Sequence, residues 1–302
     1  MHIPDGFLSP PVWATLDAVS LPAVGLIARR AQRDTEEATV PLLGVMGAFV
    51  FAAQMINFPV GLGTSGHLVG GALLAMVLGP SAAVVVMTAI LVIQAFVFQD
   101  GGVMSLGANI FNMALAGVFA GYLPYRYWGA SPRGRKAAIF AGGTLSVLVS
   151  ACLALTQLAI SGVPLRRWLP VSMVLFVVSA ILEGAITVAA LGAIERLNAM
   201  WIRRPSAAVS RPVGVIAIAA IVLVTAGVLL ASAAPDGIEK LAAQIGIAAH
   251  SPAWLHAPLA DYECQGLQSP LLRKASAGFT GMALLYGACL ITGRFLSRQR
   301  SS

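Results

Sequence analysis

The sequence predicts an all-α membrane protein of about nine transmembrane helices, and three observations predict it. Of its 302 residues 58% are hydrophobic and only 10% are charged, where a soluble domain carries about a quarter charged residues. Apolar stretches of roughly 20 residues recur along the chain, each long enough to cross a hydrocarbon core as a helix. The basic residues collect in alternate connections, as they do in a chain held in one orientation by the positive-inside rule.

The spans fall at 7–28, 40–60, 67–79, 81–99, 103–123, 137–160, 169–191, 213–233 and 276–293. The third is too short for a full crossing and meets the fourth at Gly79-Pro80, a turn signal. A short helix at membrane depth has to line a cavity or be shielded by neighbours, because unpaired backbone cannot face lipid. With the N-terminus outside and the C-terminus cytoplasmic, the inner connections hold Arg29, Arg30, Arg33, Arg126, Arg133, Arg135, Lys136, Arg196, Arg203, Arg204, Arg211, Arg294, Arg298 and Arg300. The outer side holds Arg166, Arg167, Lys240, Arg273 and Lys274, so the division is 14 against 5. The net charge of +7 is therefore topology, and no nucleic-acid partner is expected. The expected location is the cell (inner) membrane. No basic segment precedes the first apolar run, so a cleaved signal peptide is not expected.

The chain divides near residue 200. Residues 1–200 hold seven spans with short outer loops, and 196–212 is basic and contains Pro205 and Pro212, as a linker would. Residues 201–302 then hold two spans around an outer loop, 234–275. Cys152, Cys264 and Cys289 are isolated and carry no C-x-x-C spacing, so they read as small membrane residues or spare thiols rather than as a disulfide framework or a zinc site.

The chemistry concentrates in the opening stretch, MHIPDG. A chain that starts X-His offers three nitrogens: the terminal amine, the amide of residue 2 and its imidazole Nδ1. They close one five-membered and one six-membered chelate ring. Ni(II) and Cu(II) favour such in-plane nitrogen coordination. Met1 is expected to be retained, since the residue behind it is not small. Pro4 stiffens the exit of the peptide. Asp5-Gly6 makes a turn and offers a carboxylate to orient a ligand. One donor is still needed, and His67, in GLGTSGHLVGG on the same outer side, is the candidate. Thr64 or Ser65 is suited to cap the short helix behind it. Taken singly, His2 also reads as a histidine on a frayed terminus and His67 as a packed interfacial one; taken together, two ionisable groups at one membrane face mark a function.

Gln54, Asn57, Gln94, Asn109 and Asn112 are polar groups in apolar context, candidates to support ligands or line a cavity. Asn109 and Asn112 share a helix face at i, i+3, and interhelical hydrogen bonding is the alternative role for such amides. Asp17 and Glu183 lie within spans and should face the bundle interior, Glu183 also suiting a structural pairing with a loop or helix donor. His250, His256, Asp261, Glu263 and Cys264 in the outer loop match no compact ligand motif. No ATP-binding loop or Ser-His-Asp arrangement is present, so this chain is not expected to hydrolyse ATP.

MHIPDGFLSP at the start, GTSGH at 63–67 and LGANIFNMALAG at 106–117 resemble the NikM/CbiM family, the substrate-specificity components of nickel and cobalt energy-coupling-factor transporters. APDGIEK at 234–240 resembles the PDGLE motif of the small NikN/CbiN partner, with Ile for Leu. The resemblance implies a seven-helix component fused to a NikN/CbiN-like module. Its metal ligands map onto Met1, His2 and His67. It also implies a separate transmembrane coupling subunit and two cytoplasmic ATP-binding subunits as partners. Cobalt members more often begin MHIMEG and often carry a signal peptide, so MHIPDG tilts the expectation to Ni(II), with Co(II) the second candidate and no organic cofactor. A cobalt importer component serving cobalamin biosynthesis is the alternative. From another class, an intramembrane metal-dependent enzyme would use His2 and His67 as ligands and Glu183 as base, but a site with four in-plane positions filled by protein leaves no equatorial place for substrate, unlike catalytic zinc. A structural scaffold would bind no metal.

Overall fold

The computed structural model describes residues 1–61, 64–165, 169–197 and 257–298. The predicted span at 213–233, the linker prolines Pro205 and Pro212, the 234–240 motif, His250 and His256 lie outside the described residues. Within them the structure is mostly helical, with one short strand pair, and seven helices are long and apolar enough to cross a membrane. The all-α membrane class therefore holds.

Helix α1 (Pro10–Asp34) starts on two prolines, whose fixed φ and missing N–H suit a first turn. It lies on the outside of the bundle and is pinned at two polar points. Asp17 Oδ1 accepts from the Gly107 amide at 2.7 Å, and Ser20 Oγ donates to the Gly107 carbonyl at 2.8 Å. A Cβ on residue 107 would run into Asp17 Oδ1 and the α1 backbone, so only glycine lets α1 come this close. Asp17, the odd charge in an apolar span, is thus a docking group.

Helix α2 (Val40–Gln54) is almost wholly buried. The sequence suggested helix to residue 60, but it ends at Gln54 and the chain turns into an antiparallel hairpin, β1 (Phe58–Gly61) and β2 (Thr64–Gly66). Pro59 has no amide to continue a helix and is tolerated in a two-stranded edge. Thr64 and Ser65 accordingly lie in β2 instead of capping the next helix.

That helix, α3 (Gly71–Leu78), has eight residues, all but Leu78 buried. Its entry is capped from a distance: the Val69 and Gly70 amides donate to the two carboxylate oxygens of Glu183 at 2.7 and 2.8 Å. A buried carboxyl at a helix N-terminus meets these amides with its oxygens at the positive end of the helix dipole. Gly79 then turns the chain into α4 (Pro80–Ile93), extended by one wide π turn over Gln94–Phe98. Helix α5 (Leu106–Trp128) carries a second π stretch at Ile110–Gly117, α6 runs Arg135–Ile160 and α7 Leu169–Leu197. Arg135 pairs with Glu195, donates to the Gly129 carbonyl and lies over the Tyr125 ring, tying α5, α6 and α7 at one end.

A strap at 257–269 leads into the last helix, α8 (Pro270–Arg298). It packs along α2 through small residues on both sides. A Cβ on Gly44 would lie 2.8 Å from the Tyr286 ring, one on Gly47 3.0 Å from Cys289 Sγ, and one on Gly281 would clash with the Phe51 ring. Such seams let membrane helices approach and gain dispersion contacts in place of the missing hydrophobic drive. The last helix of the C-terminal part is therefore built into the first.

The Glu183 cap is open to a direct check. Glu183→Ala leaves two buried amides unpaired, at about 1–3 kcal/mol each, so thermal unfolding in detergent should move sharply down. Glu183→Gln, which keeps one acceptor oxygen, should fall by clearly less.

Candidate metal centre

The chain start is held inside the protein by both apolar and polar contacts. Ile3, Phe7 and Leu8 are buried in a cluster with Ala108 of α5, Leu155 and Leu158 of α6 and Phe176 of α7. Ile3 and Asn109 are paired twice: the Ile3 amide donates to Asn109 Oδ1 at 2.8 Å and Asn109 Nδ2 donates to the Ile3 carbonyl at 3.1 Å. Asp5 accepts from the amides of Val103, Met104 and Ser105, with the Met104 bond at 2.8 Å, and so caps the approach to α5. Gly102 donates to the Ile3 carbonyl at 2.9 Å. A Cβ on it would collide with the Asp5 carboxylate, so this crossing too requires glycine.

These anchors deliver Met1 and His2 to His67. The Met1 amine lies 3.3 Å from His67 Nε2. The two imidazole rings stack with centroids 5.5 Å apart and planes 8° from parallel. His67 Nδ1 sits 2.9 Å from the Leu68 carbonyl. A carbonyl only accepts, so Nδ1 carries the proton and Nε2 turns a bare lone pair toward the amine. Burial holds the His67 imidazole down to about 4, with the neighbouring ammonium and His2 adding to the effect. At neutral pH it is ready to act as a ligand without losing a proton. His2 is 3% exposed, and its Nε2 has no hydrogen-bond partner among the described residues. Its Nδ1 lies 3.0 Å from Asp100 Oδ1, at ion-pair distance. A cavity of about 20 Å³ opens beside Met1 and His67, bounded by Ser65, Phe176 and Ser179. That is room for one water or one ion.

The remaining sequence candidates divide. Gln54 and Gln94 belong to one buried relay. Gln94 Nε2 donates to Gln54 Oε1 at 2.9 Å and Gln54 Nε2 to the Val69 carbonyl at 2.8 Å, two residues beyond His67. Asn112 faces away and forms a reciprocal amide pair with Gln157 of α6 at 2.8 and 2.7 Å, the interhelical bonding amides provide in membranes. Asn57 is half-buried in the link after α2 and hydrogen-bonds none of these groups among the described residues. Glu263 faces Arg273 at 4.0 Å, and no cluster of three metal-binding side chains forms among the described residues.

Two residues carry no signal of their own in the sequence, Asp100 and Tyr262. Asp100 stands in FQDGG, which reads as a bare turn, and Tyr262 lies more than 160 positions away in the outer loop. Burial alone would raise the Asp100 carboxyl, but the His2 imidazole beside it pulls it below the ordinary carboxylate range. The one available hint was an acid followed by two glycines between two apolar spans.

Comparison with known proteins places the chain in a family. A family profile described as the cobalt uptake substrate-specific transmembrane region, CbiM, matches residues 2–201, and a PDGLE domain profile matches residues 210–298. A chain named as a putative fused nickel transport protein, NikMN, in Archaeoglobus fulgidus is 34% identical over 296 residues, 94% of this chain and 95% of that one. A cobalt transport protein CbiM of Thermosediminibacter oceani is 34% identical over 206 residues, covering 65% and 84%. Among solved structures, a truncated transition metal transporter superposes with a TM-score of 0.60 at 31% identity, over 65% of this chain and 99% of that one.

Two outcomes follow from the anchoring and the burial. Asp5→Ala removes the acceptor of three amides, and hydrogen exchange at residues 3–6 and 103–106 should rise about tenfold or more, the equivalent of about 1.4 kcal/mol of local stability. Between pH 6.5 and about 4 the unfolded chain binds a proton at His67 that the folded chain refuses. Metal-free stability should therefore fall as pH drops through that window, and His67→Ala should remove this part of the slope.

Proposed function

The chain belongs to the CbiM family, with a PDGLE domain behind it in the same polypeptide, and on that premise we propose that it is the membrane substrate-binding component of an energy-coupling-factor importer for nickel, with cobalt the second candidate. Residues 1–200 form the metal-binding module and residues 201–302 the NikN/CbiN-like module. ATP is hydrolysed by two cytoplasmic partner subunits, and a transmembrane coupling subunit links them to this chain. The 14-to-5 division of basic residues supports an N-terminus facing outward in the cell membrane.

The observation that carries the reading is the Met1 amine facing the unprotonated His67 Nε2 at 3.3 Å, with the buried His2 ring stacked alongside. A divalent ion drawn between them replaces a nitrogen–nitrogen contact by two metal–nitrogen bonds, and the His2 amide and Nδ1 complete a square of four nitrogens once Nδ1 has given up its proton and turned its lone pair from Asp100 to the ion. Nickel tolerates that plane better than zinc or magnesium do. The largely apolar wall given by Val60, Val147, Leu175 and Phe176 limits water at the site and so strengthens each bond. The metal-enzyme alternative loses its base: both Glu183 oxygens are engaged by the amides ahead of α3.

Metal content of the purified chain tests this. One tightly held Ni(II) per chain is expected, lost in His2→Ala, in His67→Ala, and in a chain extended by a few residues ahead of Met1. Full nickel binding by the extended chain would sink the amine ligand. Because amine and amide have to be unprotonated to bind, affinity should fall steeply as pH drops below neutral, read by competition with a chelator of known affinity.

A further inference from the structure

The C-terminal strap reaches the metal centre. Its backbone joins the turn after α4, where the Leu259 amide donates to the Val97 carbonyl at 3.0 Å. Its 3-10 turn, Ala260–Tyr262, lays the Tyr262 ring on Phe98, with centroids 4.7 Å apart. The Tyr262 hydroxyl donates to Asp100 Oδ2 and accepts from Gln94 Nε2 at 3.2 Å. The other carboxylate oxygen, Asp100 Oδ1, is the one 3.0 Å from His2 Nδ1. A continuous line of polar contacts thus runs from the second module, through Tyr262 and Asp100, to a histidine of the first.

We propose that Asp100 is the counter-charge of the metal-loaded centre and that Tyr262, supplied by the second module, is the positioning residue that holds it there. The inference rests on the nickel-binding reading above. A divalent ion on one deprotonated amide and three neutral nitrogens keeps one positive charge in a site walled by apolar side chains. A buried charge without a partner is expensive; a single carboxylate brings the centre to neutrality. Among the described residues Asp100 is the acidic side chain that faces His2, and it is partly exposed, at 28%. Left alone it has room to swing toward solvent. The Tyr262 hydroxyl, itself held by Gln94, closes that option by fixing the oxygen that does not face His2. The turn is shaped for this presentation: Gln99 takes a left-handed conformation (φ 57°), and the Asp100 amide bonds back to the Gln94 carbonyl at 3.0 Å. Retention of metal in the first module therefore depends on a hydroxyl of the second.

The test is the release rate of Ni(II) from the full-length chain in detergent, measured against excess chelator, together with the visible ligand-field absorption of the bound ion. Tyr262→Phe keeps the ring on Phe98 and loses only the hydroxyl; it should release nickel about tenfold faster with the absorption band unmoved, since the four nitrogens are untouched. Asp100→Asn leaves the strap intact and should accelerate release at least as much, so the proposal stands or falls on it alone should the Phe variant fail to fold. The double variant should release no faster than Asp100→Asn, because the hydroxyl acts through the carboxylate. Release within twofold of the unaltered chain in either single variant, or multiplicative effects in the double one, overturns the proposal. If the unaltered chain itself holds no nickel, the reading of the centre falls and takes this inference with it. If it holds nickel and the variants behave like it, only the inference falls.

Discussion

Everything at the centre depends on how the first six residues are tied down. A chain terminus ordinarily frays, because few of its groups have partners to repay the lost conformational freedom. Here the Asp5 carboxylate takes three amides at the head of α5, and Ile3 and Asn109 exchange two hydrogen bonds. Ile3, Phe7 and Leu8 fill the cluster among α5, α6 and α7. The polar contacts set direction and the apolar ones supply most of the holding energy. With residues 3–8 fixed, Met1 and His2 have little freedom left, and their donors are presented to His67 before any ion arrives. Preorganisation of that kind is what turns a flexible peptide chelator into a site.

His67 is positioned by an independent chain of causes. The hairpin ending at Gly66 and the buried helix α3 bracket it, and Glu183 fixes the entry of α3 from across the bundle. The short, buried helix lets the chain turn back inside the bundle next to His67 without exposing backbone to lipid. Two charges that look out of place in apolar spans, Asp17 and Glu183, thus play the same part. Each accepts from backbone amides where one element must stop against another. The second module joins by the glycine seam between α2 and α8 and by the strap over the α4 turn.

Much of this was legible in the sequence, for identifiable reasons. Among the described residues the span positions follow from the runs of apolar residues, and the shortness of α3 from Gly79-Pro80. That Met1, His2 and His67 belong together was expected from chelate chemistry, and the fold brings the three side by side. Local rules failed where long-range pairing decides. The strand pair at 58–61 and 64–66 replaced the end of a predicted helix because Pro59 and the glycines near it outweighed the apolar run. Thr64 and Ser65 were sensible caps by residue type, yet the cap came from Glu183, more than a hundred residues away. Asp100 and Tyr262 carry no motif, and only the fold brings them together.

The most direct measurement is X-ray absorption at the nickel edge on the loaded, full-length chain. Four nitrogen donors in one plane are expected, two of them imidazoles, with no sulfur and no set of waters. A six-coordinate, oxygen-rich nickel would contradict the terminal chelate, because such an ion would not be bound by the chain terminus and His67.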